Sequence, residues 1–254
     1  MQVRNSANGL IRDSYLRSIH MSKLVILGAG GIAIVAADIA RCQGYDVVGF
    51  LDDRPDKLGT LFCGAPVFGN FSVLSELRQV VSQVVVAFSN CRGRLDVAQC
   101  ALSYGFSLPN LIHPSAIVSQ YACLEHGSII MPGVIVNSGA HIGSITILNT
   151  AASVDHECRI GDGVHIGPGA RLAGLVTVGN GTWIGIGSVI RESVDIGDNV
   201  LLGAGSLVLK NIPDGVVAYG SPAKIIRPNV VSKQNTTIVQ RVESSEFGWN
   251  QICS

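Results

Sequence analysis

From Val118 onward every sixth residue is Ile, Leu or Val, and the column runs to Val208, sixteen positions without an exception. Two residues ahead of each member stands a small or β-branched side chain, as at Ala116, Ser128, Ala140, Ala152, Ala170 and Ser188. Gly follows the member at Gly143, Gly161, Gly167, Gly179, Gly185, Gly197 and Gly203. An amphipathic helix repeats every 3.6 residues and a half-buried strand every 2, so a period of six is neither alone. It fits a very short strand and a tight turn, repeated, with the aliphatic side chain inward and Gly allowing the positive φ that a turn needs. Three such units close one coil, and coils stack about 4.8 Å apart by parallel strand pairing. Residues 18 apart then share a column.

The first half carries a different pattern. Leu24–Leu27 reads as an apolar strand, followed by Gly28-Ala29-Gly30-Gly31-Ile32-Ala33, a helical run over Val35–Cys42, and a strand Val47–Leu51 ending in Asp52-Asp53. An acid about twenty residues past a Gly-rich turn suits a phosphate or ribose seated over the strand ends, at a helix N-terminus. A strand near Pro66–Phe68, a helix over Val73–Val81, a strand Val84–Phe88 ending at Ser89-Asn90, a helix Arg94–Tyr104 and a strand Asn110–Ile112 complete this part. It is about half of a full dinucleotide fold, and a stack of short rungs offers no site for hydride chemistry, which argues against a dehydrogenase. The chain divides into a leader, 1–20, outside the fold; a Rossmann-like domain, 21–112; a β-helix, 113–228; and a polar tail, 229–254.

Composition narrows the partners. Lys+Arg and Asp+Glu are both 18, so no net field attracts nucleic acid or an anionic membrane. Apolar residues make up 47% and charged residues only 14%, against roughly 25% in a typical soluble domain, which excludes global disorder. No apolar run is long enough to span a bilayer. Seven cysteines without a C-x-x-C pair argue against a disulfide framework or a zinc site and point to the cytoplasm.

The β-helix closes on Ile212-Pro213-Asp214-Gly215 and Gly220-Ser221-Pro222-Ala223-Lys224, and its middle holds Asn149-Thr150-Ala151-Ala152-Ser153-Val154-Asp155-His156-Glu157-Cys158, then Ile160-Gly161-Asp162-Gly163-Val164-His165. Over residues 21–228 the chain resembles the hexapeptide-repeat nucleotide-sugar acetyltransferases of bacterial glycan biosynthesis, whose members include sialic-acid O-acetyltransferases. The resemblance implies an α/β Rossmann-like βαβ domain followed by a left-handed parallel β-helix, acetyl-CoA as co-substrate, no metal, and a homotrimer with acetyl-CoA between neighbouring helices. It implies His156 as general base and Glu157 as the carboxylate that supports it. It implies acetyl-CoA contacts at His165, Ile186 and Ala204, and nucleotide-sugar contacts at Gly30, Gly31, Ile32, Asp52, Asp53 and Ser89. Ile32 departs from the family, in which many members carry His there.

The column rule adds to this. Gly174 lies 18 residues past His156, so its amide is expected one rung from the imidazole, placed to stabilise an oxyanion. Ile186 and Ala204 are 18 apart and form one groove. Asn149 is expected beside the sugar and Lys224 near a CoA phosphate. His156 and His165 are half a coil apart, so they converge only across a subunit interface or along different parts of the ligand. The reaction that the resemblance implies is N-acetylation of the C4 amine of an NDP-linked 4-amino-4,6-dideoxy sugar. The alternatives are O-acetylation of a sugar hydroxyl and a non-catalytic nucleotide-sugar-binding scaffold. A zinc hydratase of similar fold is disfavoured, because its His-x4-His pair is missing.

Overall fold

A computed structural model describes residues 21–230. The expectations for residues 1–20, and for the tail beyond Val230, lie outside the described residues. The N-terminal domain is a five-stranded sheet of order β3-β4-β2-β1-β5: β1 (Lys23–Leu27), β2 (Asp46–Leu51), β3 (Leu61–Phe62), β4 (Ala65–Gly69) and β5 (Gln83–Val86). All pairs are parallel except the β3–β4 hairpin. Helix α1 (Gly31–Cys42) buries Ala33, Ala36, Ala37, Ile39 and Ala40, whose small side chains let it lie close to its neighbours. The helix expected over Val73–Val81 shrinks to a 3-10 turn, Phe71–Val73, and one α turn, α2 (Leu74–Leu77). Its buried residues Phe71, Leu74 and Leu77 recur every three residues, a spacing that suits a tight helix of a turn or two. Helix α3 (Cys91–Ser103) begins three residues earlier than expected, because Asn90 caps it by accepting from the Gly93 N–H at 2.9 Å.

The strand at Leu111–Ile112 pairs with Ile129–Ile130, not with the N-terminal sheet, and is thus the first rung of the β-helix. Its Ile112 sits one period before Val118. From there the two-residue strands stack into three parallel sheets, with every pairing offset by 18 residues, as in Ile135↔Ser153, Arg159↔Thr177 and His165↔Trp183. From Ile130 to Val208 each inward aliphatic residue is at most 2% exposed. At roughly 1.5–3 kcal/mol for each fully buried side chain, this column is the main source of the domain's stability. Val118 and Leu124, at the open end, are only partly buried. The small polar residues at the inner corners are satisfied by carbonyls of the next coil: Ser128 Oγ donates to Gly143 O (3.1 Å), Thr146 Oγ1 to Gly161 O (3.1 Å) and Thr182 Oγ1 to Gly197 O (2.7 Å).

One expectation is corrected. The Gly after each aliphatic anchor does not supply positive φ; the left-handed residue stands three places before the anchor, at Gly127, Gly133, Gly163, Gly181 and others, and also at Ile145, Ala151, Glu157, Leu175, Ser193 and Asn199. The glycines after the anchor answer a different constraint, close approach between coils. A Cβ at Gly167 would lie 2.7 Å from Ile184 O, and one at Gly185 would lie 2.6 Å from Ala204 N.

The β-helix is closed by a parallel strand, Val216–Gly220, and an antiparallel return, Ala223–Pro228. Asn229 is tied down by its own N–H to Gly215 O (2.7 Å) and by its side-chain amide to Asn199 O (2.8 Å). One buried apolar cluster runs from Leu24, Ile26 and α1 into the β-helix core, so the two domains share a continuous interior. A second cluster, on the other side of the N-terminal sheet, takes in Ile145 from the β-helix.

Candidate active site

One cleft opens where the N-terminal domain meets the β-helix, and a second lies within the N-terminal domain. The larger, of about 590 Å³, is lined by Gly31, Ile32 and Ser89 on one side and by Asn149, His165, Trp183, Ile186 and Ala204 on the other. Seven of the sequence-expected residues therefore meet in one cavity, although they come from two domains. The smaller, of about 320 Å³, is lined by Gly28, Ala29, Gly30, Asp52, Asp53, Arg54, Phe71, Phe88 and Asn90.

The smaller cleft is built by Asp52. Its carboxylate is 7% exposed and accepts from the Ala29 N–H (2.7 Å), the Arg54 N–H (3.0 Å) and the Arg54 guanidinium (2.8 Å from Nε). Burial works to raise its pKa, but the hydrogen bonds from Arg54 and Ala29 outweigh it and hold the carboxyl below its usual range. Arg54 in turn donates to Ala29 O (2.7 Å). Asp52 thus pins the Gly-rich turn to the end of β2, and its oxygens are taken up by protein donors. Asp53 also lines the cleft and accepts from the Phe71 N–H (3.2 Å). Arg54 was not singled out in the sequence; a basic residue after paired acids gives no sign of which way it folds.

In the larger cleft, His165 is 3% exposed and stacks on Trp183, centroids 4.9 Å apart and planes 15° apart. Its partner is Asn149, whose orientation is settled by the Thr150 N–H donating to Oδ1 (2.8 Å). The Asn149 amide nitrogen therefore donates to His165 Nε2 (3.1 Å), which makes Nε2 the acceptor and leaves the proton on Nδ1. Burial and then the nearby Arg94 charge push the His165 pKa down to about 4, against a smaller opposing pull from the Ser89 backbone. Among the described residues no side chain or carbonyl takes up the N–H of Ile186 or Ala204.

His156 and Glu157 stand at another corner of the β-helix and line neither cleft. His156 Nδ1 lies 3.3 Å from Glu157 Oε2, with both side chains more than half exposed (55% and 64%). Glu157 occupies the left-handed turn position with φ 56°, which costs about 1 kcal/mol relative to an ordinary backbone. Asp155 accepts the His156 N–H (2.7 Å) and is itself held by Asn137 Nδ2 (2.7 Å) from the coil below. Gly174 abuts the imidazole: a Cβ there would overlap the Cε1–Nε2 edge of His156. Among the described residues nothing accepts from the Gly174 N–H. Lys224 is exposed on the closing hairpin, outside both clefts. Two surface triads, Asp38–Cys42–His113 and Cys123–Glu125–His141, bring potential metal-ligating atoms within 4.8 Å of one another, and neither borders a cleft.

Residues 23–100 match the family model described as the PglD N-terminal domain, and residues 176–210 the bacterial transferase hexapeptide (six repeats). Among solved structures, the chain is similar to a GDP-perosamine N-acetyltransferase variant from Caulobacter crescentus in complex with CoA and GDP-perosamine, at 39% identity over 82% of this chain and 98% of that one (TM-score 0.78). It is similar to the acetyltransferase domain of PglB from Neisseria gonorrhoeae in complex with acetyl coenzyme A, at 38% identity over 82% and 100% (TM-score 0.77). WeeI from Acinetobacter baumannii follows at 25% identity over 82% and 100% (TM-score 0.72). The chain belongs to the hexapeptide-repeat nucleotide-sugar acetyltransferases. It is an acetyltransferase that uses acetyl-CoA, on a left-handed β-helix. No helix among the described residues is long and apolar enough to cross a membrane.

Proposed function

We propose that this acetyltransferase acts on the C4 amine of an NDP-linked 4-amino-4,6-dideoxy sugar, in the cytoplasm, as a step of bacterial glycan biosynthesis. The observation that carries the mechanism is the bare contact between the His156 imidazole edge and Gly174 one coil above. Glu157 accepts from Nδ1–H, which leaves Nε2 as the lone-pair nitrogen facing that contact. The sugar amine attacks the thioester carbonyl, Nε2 takes the proton as nitrogen becomes positive, and the Gly174 N–H donates to the oxyanion. The C–S bond then breaks and CoA leaves.

The smaller cleft and the N-terminal-domain wall of the larger one suit the nucleotide sugar, and the β-helix wall of the larger one suits acetyl-CoA. The turn Gly28–Gly31, at the start of α1, receives the diphosphate with Gly30 and Gly31, and Asp53, Ile32 and Ser89 meet the nucleoside and sugar. Asp52 serves this contact by holding the turn. The uncapped amides of Ile186 and Ala204 suit the carbonyls of a pantetheine arm, with His165 and Trp183 as its floor; Lys224 reaches a CoA phosphate. Asn149 lies beside the sugar.

His156 and the Ile186–Ala204 corner flank one sheet of the β-helix, the one that contains Ile117–Val118, Ser153–Val154 and Val189–Ile190. Packing that sheet against a second copy around a threefold axis brings the His156 corner of one subunit to the cleft of the next. Its outward Ile117 and Val189 are 66% and 46% exposed in the single chain, as an interface face would be. Similarity to a GDP-perosamine N-acetyltransferase favours N- over O-acetylation.

The test is incubation with acetyl-CoA and a panel of GDP- and UDP-linked 4-amino sugars, following free CoA. Turnover of an amino sugar, with kcat reduced on the order of 10²–10⁴ in His156→Ala at saturating substrates, is expected. Wild-type kcat in that variant eliminates the base role, and no turnover of any amino sugar sinks the reading.

A further inference from the structure

Arg94 is fully buried, at 0% exposure, and among the described residues no carboxylate pairs with it, an unusual state for a permanent cation. What replaces the carboxylate is a ring of backbone carbonyls. Nε donates to Ile145 O (3.1 Å), Nη1 to Phe88 O and Ser89 O (both 3.1 Å), and Nη2 to Gly163 O (2.7 Å) and Val164 O (3.1 Å). A guanidinium has five N–H groups in a fixed planar fork, and each one has a carbonyl here.

These carbonyls come from two places that matter to the reaction. Phe88 and Ser89 form the loop after β5 on the N-terminal side of the cleft; Val164 immediately precedes His165 on the opposite side. Ile145 and Gly163 are successive left-handed corners of the β-helix, and Ile145 is β-branched with φ 58°, a conformation such a residue adopts only where its surroundings impose it. Its carbonyl is aimed at Arg94 and its side chain is packed into the N-terminal domain's second apolar cluster. We infer that Arg94 is a positioning residue: it sets the separation of the Ser89 loop and the His165 coil, and so fixes the width of the cleft in which nucleotide sugar and acetyl-CoA must meet.

The inference rests on the reaction proposed above. Lys keeps the charge but offers three donors on a flexible stem, so it cannot hold two carbonyl pairs in one plane. In Arg94→Lys, kcat/KM for the amino sugar is expected to fall about 10–100-fold, the scale of a misplacement near 1 Å. The Kd of CoA, measured by calorimetry, should stay within about threefold, because its proposed contacts His165, Trp183, Ile186 and Ala204 all lie on the β-helix wall of that cleft and keep their places relative to one another. A merely structural role would lower Tm and leave kcat/KM, assayed well below Tm, unchanged; folded Arg94→Lys with kcat/KM within twofold of wild type overturns the proposal. Arg94→Gln is read in the same way. If neither variant accumulates as folded protein, Arg94 belongs to the framework and the positioning role is overturned. Absence of turnover by the wild type refutes the reaction instead, which keeps the two failures apart.

Discussion

The His165 environment makes a quantitative claim about acid stability. Folded, the imidazole is buried against Trp183 and close to Arg94, with a pKa of about 4; unfolded, it titrates near 6.5. Between those values the unfolded chain binds a proton that the folded chain refuses, so stability falls as pH is lowered through that window and is fully present above it. One proton with these two constants costs about 2 kcal/mol between pH 7 and pH 5, and roughly 1 more by pH 4. The lowered carboxyls of Asp52 and Asp155 act in the same direction but in a lower window, where stability is lost as pH falls below the ordinary carboxylate range. The interval from 6.5 to about 4.5 therefore isolates His165 from them. Denaturant unfolding followed by tryptophan fluorescence at pH 7, 6 and 5 reads the effect, since Trp183 is one of only two tryptophans. His165→Asn should flatten the pH slope across this interval even if its stability at pH 7 is lower. An unchanged slope in the variant, or an imidazole that titrates above pH 6 by NMR in the folded wild type, refutes the reasoning.

The other expectations follow from the turns and the imidazole contact. Gly174→Ala places a methyl group on the Cε1–Nε2 edge of His156 and should lower kcat at least tenfold while the KM for acetyl-CoA stays near wild type; unchanged kcat would remove Gly174 from the reaction. Gly167→Ala meets backbone atoms of the next coil at 2.7 Å and should destabilise by about 2–4 kcal/mol, whereas Gly169→Ala, at φ 64° with open space around it, should cost only about 1 kcal/mol. Equal losses in the two would mean that coil spacing is not the constraint. Ser193→Gly removes a left-handed strain at an exposed turn and should leave stability unchanged or raise it by about 0.5–1 kcal/mol, as judged by Tm.

The period-six column was enough to settle the β-helix, because a two-residue strand and a turn leave one inward position per unit, and an unbroken aliphatic run at that position has one geometric solution. The offset of 18 followed by counting, and with it the neighbours of His156 and of Ile186. The same arithmetic misassigned the glycines after each anchor: spacing records that a Cβ is excluded but not whether φ or a neighbouring coil excludes it. Position three before the anchor was hidden because Ile145, Glu157 and Ser193 occupy it as readily as Gly.

What no local pattern carried is how the two domains meet. Arg94 reads as an ordinary polar residue near the start of a helix, and Arg54 as a surface cation, since the carbonyls that bind the first come from residues 88–89, 145 and 163–164, and the Ala29 carbonyl that binds the second lies 25 residues away. Hydrophobic periodicity is a property of neighbours along the chain, so it specifies each layer; the cleft depends on backbone groups brought together across more than fifty residues, and only the packed structure decides which of them face each other.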